Sequence, residues 1–152
     1  MLRSLSANRR LPGPPYVIGS ESVDYVVSFA RGIQARVVRL EVPPEPDRRG
    51  VLRLLGQALG FAEGFGTNWD AWYDCLGDVI ETATGGTVVI LERSERLLDS
   101  PPALFAQLVY HLQTSQDLVA GSARDRLLIE FAFAGLWGDA QTVPIGHGSP
   151  RR

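Results

Sequence analysis

The sequence predicts an α/β domain: a small three-stranded parallel sheet with crossover helices, set behind an N-terminal extension. Three valine- and leucine-rich runs carry that expectation: ARVVRLEV (35–42), TVVILE (87–92) and RLLIEFAFAG (126–135). Short, nearly uninterrupted apolar strands of this kind belong to parallel sheets buried on their faces. Between the runs lie segments with the 3.6-residue apolar period of helices, so the order strand, helix, helix, strand, helix, strand implies parallel pairing through right-handed crossovers. A chain of 152 residues, 45% of them hydrophobic, has the length and composition of one globular domain.

Each element has a local reason. The punctuated start RRLPGPP is read as a flexible leader, and YVIG and DYVVSFA, which follow within 16–30, alternate too irregularly to be assigned to strand or helix. The run 35–42 alternates apolar and charged residues and stops at the proline-containing PPEP. Asp47 caps a helix to about Leu59, in which Val51, Leu52, Leu54, Leu55, Ala58 and Leu59 keep the helical period, and Gly60 ends it. Asn68 caps a second helix running to about Ile80. After the strand at 87–92, Ala103, Leu104, Leu108 and Leu112 mark a third helix over 103–113, with Pro101 or Pro102 in its first turn. The polar segment GHGSPRR closes the chain as a tail. The expected division is an extension over 1–36, a domain over 37–133 and a tail over 134–152.

Composition excludes several classes. No window approaches eighteen uninterrupted apolar residues and the arginine-bearing start has no apolar core after it, so neither a membrane span nor a secretory signal is visible and the cytoplasm is the expected location. The single cysteine, Cys75, excludes an intrachain disulfide and a cysteine-based zinc cluster. A formal net charge of -2 hides an internal polarity: residues 40–139 hold seven arginines against fifteen acids, and between Ala62 and Glu92 there is no arginine at all. An acidic block of this kind repels nucleic acid and attracts a basic partner.

The densest part of that block is FGTNWDAWYDCLGDV (65–79). Asp70 lies in the first helical turn, where a carboxylate meets the positive end of the helix dipole. Trp69, Trp72, Leu76, Val79 and Ile80 gather on one side as a core face. Asp70, Tyr73, Asp74, Gly77 and Asp78 follow the i, i+3, i+4, i+7, i+8 spacing on the other. Acidic pairs four residues apart cost an isolated helix a few tenths of a kcal/mol each, so the strip reads as a surface shaped for a partner. A solvated acidic face is the plainer alternative.

The motif NWDAWYDCL with its preceding FG resembles the signature of the barstar family of ribonuclease inhibitors, and the strands and helices of 37–133 follow that family's order and spacing. The resemblance implies a barstar-like, three-layered fold and an intracellular protein; no cofactor is expected, and of the oligomeric states left open a monomer is favoured. It implies an inhibitor rather than an enzyme, one that plugs the active site of a basic, barnase-type ribonuclease. On the same basis Asp74 takes the place of the RNA phosphate among the nuclease's cationic groups, with Asp70 and Tyr73 beside it, and the spacing of the strip adds Gly77 and Asp78 to the partner-binding face. The alternative is a binding or immunity module for a different basic protein or toxin domain. Departures from the family pattern favour a changed partner: the aromatic pair before the motif is Gly64-Phe65, a tryptophan after it is Val79, and an acid expected on the third helix falls near His111.

Other chemistries fit the residues less well. Asp70 and Asp74 as a metal or acid/base pair of a hydrolase would need further ligands, and no HxxxH or DxD cluster is present. Cys75 with His111 or His147 as a nucleophile pair competes with the reading of Cys75 as a small core hydrophobe. Trp69 and Trp72 as a base-stacking platform would sit in acidic surroundings hostile to RNA.

Overall fold

The computed structural model describes Leu5 and residues 14–100, 103–122 and 127–137. Four parallel strands form one sheet: β1 (Tyr16–Gly19), β2 (Ala35–Glu41), β3 (Gly85–Glu92) and β4 (Leu127–Gly135), in the spatial order β1-β4-β3-β2. The helices are α1 (Val23–Gly32), α2 (Arg48–Leu59), α3 (Trp69–Thr82) and α4 (Ala103–Ala120). The expected α/β class and parallel pairing hold, but the sheet has four strands and not three. The extra one is YVIG, whose four residues are too few to establish a period and become a strand by pairing with β4, Tyr16 opposite Ala132.

The chain moves across the sheet in one direction from β2 through β3 to β4, and in the other from β1 to β2. One handedness of crossover then requires α1 on the face opposite α2, α3 and α4. The two cores agree. Val23, Val26 and Ala30 of α1 pack with Val88, Ile90, Ala132 and Ala134, whereas Leu52, Leu55, Trp72, Leu76, Leu108 and Leu112 pack with Val89, Leu91, Phe131 and Phe133. The extension therefore supplies both an edge strand and the covering of one face. Beneath that covering lies Glu130, a carboxylate only 6% exposed, which accepts the Leu5 N–H at 2.7 Å.

Local signals place the helices. Asp47 accepts the Gly50 N–H at 2.8 Å, and Gly60 ends α2 at φ 77°, a left-handed turn that glycine adopts without steric penalty. Gly56 stands where an added Cβ would meet the Phe65 ring at 2.5 Å, so its missing side chain lets the loop before α3 fold down on α2. Helix α4 runs to Ala120, seven residues beyond the expected end. Its second half breaks the apolar period because polar groups are buried there with partners. Ser115 accepts Trp72 Nε1 at 2.9 Å, and Gln116 accepts the Phe131 N–H at 2.8 Å, just before β1 begins opposite Ala132. Pro101, Pro102, most of the leader and the tail from 138, including His147, lie outside the described residues.

Candidate functional site

Helix α3 begins where the sequence placed it: the Asn68 side chain accepts the Ala71 N–H at 2.8 Å, satisfying an otherwise unpaired amide of the first turn. Trp72 and Leu76 are buried, and Trp69, Val79 and Ile80 pack on the same core. Trp72 is the hub, with edge contacts to Phe61 at 5.0 Å and Trp69 at 5.9 Å between ring centroids. This anchoring fixes the rotation of α3 about its axis and so decides which side faces out.

On that outer side Asp70, Asp74, Gly77 and Asp78 are all exposed. At Gly77 nothing lies within 4 Å of where a Cβ would stand, leaving open space for an approaching backbone. Cys75, beside the strip, has its thiol pushed up by burial and then by the negative charges of Asp78 and Asp74. A thiol held protonated in this way is a poor nucleophile.

Tyr73 differs from its neighbours. Half buried, it sets its hydroxyl 2.7 Å from His111 Nδ1 on α4, and burial pushes its phenol above the ordinary range. His111 stacks on Trp69 with centroids 4.0 Å apart, meets Tyr110 edge-on at 5.0 Å, and is held below the usual histidine range by burial. A neutral ring whose Nδ1 accepts from the phenol satisfies both groups. The acidic strip is thus bordered by an aromatic and imidazole cluster on α4, outside which Tyr110 stands 66% exposed. The sequence reading missed this cluster. The one available signal was that Gln107 and His111 stand four residues apart beside the buried Leu108–Leu112 row, which puts both on the flank toward α3.

Of the positions at which the chain departs from the family pattern, Gly64 is exposed in a left-handed turn at φ 79° and Val79 packs on the core, while Phe65, which keeps an aromatic ring, sits edge-on to Phe61 at 5.3 Å. Cys75 and His111 are not brought together by any contact. Among the described residues no group of three or more His, Cys, Asp and Glu side chains is placed to hold a metal ion, and no helix is long and apolar enough to cross a membrane.

Fold and face together define an α/β protein that presents a rigidly anchored, charged helix face. The chain belongs to the barstar family: the family model described as Barstar (barnase inhibitor) matches residues 35–131. The match begins at β2 and leaves out β1 and α1. No curated protein matches the chain.

Proposed function

We propose that the protein is an intracellular inhibitor, not an enzyme, that blocks the active site of a bacterial barnase-type ribonuclease. The docking surface is the outer face of α3, where Asp74 substitutes for an RNA phosphate and Asp70, Tyr73, Gly77 and Asp78 surround it. One observation carries this reading: three exposed carboxylates spaced four residues apart on a helix whose other face is locked into the core, in a chain of a family described as barnase inhibitor. Carboxylates desolvated among several cationic donors form short, charge-assisted hydrogen bonds, and removing one leaves those donors buried and unpaired.

A second reading keeps the acidic face and changes the partner to another basic protein, such as a different toxin domain for which this chain is the immunity protein. It is favoured by Gly64 and Val79, which stand where the family pattern has aromatic side chains, and by His111 where an acid was expected.

The deciding experiment titrates the protein into a barnase-type ribonuclease reaction while RNA cleavage is followed. Stoichiometric inhibition is expected. Asp74→Ala is expected to raise the inhibition constant at least about 30-fold, since truncating a desolvated, hydrogen-bonded charge costs about 2 kcal/mol or more. Cleavage unaffected by the wild-type protein would sink the ribonuclease reading for that enzyme and leave the search to other basic partners.

A further inference from the structure

Beside the acidic face lies a feature of opposite sign. Arg49 and Arg53, one turn apart on α2, line a cleft of about 460 Å³ with Gln57 and the loop residues Glu63, Gly64 and Thr67. Both arginines are exposed and, among the described residues, neither makes an ion pair. Glu63 shares the lining without reaching ion-pair distance of either. Arg49 Nε donates to Thr67 Oγ1 at 3.3 Å, which ties the cleft to the loop three residues ahead of Asp70. The loop wall is fixed from behind, because Phe65 packs against Gly56 and Phe61. Gly64, at φ 79°, has nothing within 4 Å of its missing Cβ, so that wall is bare.

Arg49 and Arg53 repel each other across one turn of α2, the counterpart in sign of the Asp70–Asp74 pair on α3, and neither helix gains stability from its row of like charge. The Arg53 guanidinium and the terminal nitrogens of Arg49, whose Nε is held by Thr67, are suited to a carboxylate or a phosphate. A polyanionic strand is disfavoured by Glu63 in the lining and by the acidic, arginine-free stretch from Ala62 to Glu92, whereas one acidic side chain on an otherwise basic protein meets far less repulsion.

We propose that the cleft between α2 and the 62–67 loop is a carboxylate-binding subsite, which takes an acidic side chain of the same protein partner that docks on α3. The interface is then bipolar: the partner carries a basic groove with an acidic residue at its border, and charges of both signs fix its orientation. The inference rests on the α3 docking reading and deepens it.

The test uses a barnase-type ribonuclease as probe, with the wild type, Asp74→Ala, Arg49→Ala, Arg53→Ala and the double arginine variant compared by inhibition constant, and folding checked by circular dichroism. The double arginine variant is expected to inhibit at least tenfold more weakly while keeping its fold. Inhibition equal to or tighter than wild type would overturn the subsite while leaving the α3 reading intact. If the wild type does not inhibit that enzyme, the ribonuclease reading fails for it and a second probe decides the cleft alone. Glutarate titrated into the ¹⁵N-labelled protein is expected to shift the Gly64, Gly66 and Thr67 amide resonances, and Arg53→Ala to abolish the shifts. Resonances unmoved by glutarate would overturn the proposal.

Discussion

Trp72 joins the loop, α3, α4 and the sheet: its ring meets Phe61, Trp69 and Phe131, and its indole N–H is bonded to Ser115. Trp72→Ala is expected to destabilise the fold by about 3–5 kcal/mol, read from the midpoint of urea unfolding, because it leaves a cavity that rigid neighbours cannot fill. Trp72→Phe keeps most of the volume and is expected to lose nearer 1 kcal/mol, since Ser115 still donates to the His111 carbonyl at 2.7 Å. His111 makes a pH-dependent contribution of definite sign. Its pKa is lowered in the folded protein by burial, so between the unfolded value near 6.5 and the lower folded value the unfolded chain binds more protons. Stability therefore rises with pH across that window, and the penalty is complete below the folded pKa. Unfolding midpoints measured from pH 5 to 7.5 are expected to climb, and His111→Gln to flatten the climb. An equal slope in the variant would assign it to other groups.

At the scale of elements, α3 is positioned at its start by one side chain, and Asn68→Ala is expected to cost about 1 kcal/mol through loss of the bond to the Ala71 N–H. Helices α2 and α3 were legible because their signals are local: Asp47, Gly60 and Asn68 act on residues within one turn, and the apolar period of α3 separates the buried Trp72 and Leu76 from the exposed Asp70, Asp74 and Asp78. What stayed illegible depends on distant partners. The second half of α4 looks polar until Ser115 and Gln116 are seen bonded to Trp72 and Phe131, and β1 is four residues that pair with a strand more than a hundred positions away. Within the candidate site, the exposure of the three aspartates could be read from spacing. The link from Tyr73 to His111 could be read only in part, because the spacing of Gln107 and His111 beside Leu108 and Leu112 marks a flank of α4 without naming the residue of α3 that it meets.

On the scale of the whole molecule, the face of the sheet opposite α3 is covered, among the described residues, by Leu5 and α1. A chain begun at residue 34 is expected to expose Val88, Ile90, Ala132 and Ala134, all at most 1% accessible in the full protein, and to leave β4 as an unprotected edge. Raised binding of a hydrophobic dye and self-association in sedimentation would register this. A monomeric, cooperatively unfolding fragment would instead make 34–137 an independent folding unit. Charge also acts at this scale: association with a basic ribonuclease is expected to slow as ionic strength rises, and the Asp70→Ala/Asp78→Ala variant to show a shallower dependence in stopped-flow measurements. The strand order β1-β4-β3-β2 carries a consequence in time. Tyr16 pairs with Ala132, so among the described strands the first in the chain finds its neighbour in the last to be made. Until then its hydrogen-bonding edge waits without a partner, although α1 can already pack on Ala35, Val88 and Ile90, and closure of the sheet is a long-range, late event. A nascent chain stalled before β4 would hold the whole acidic helix and still lack the strand on which Trp72 packs through Phe131, so synthesis must pass β4 before that helix face is rigidly anchored.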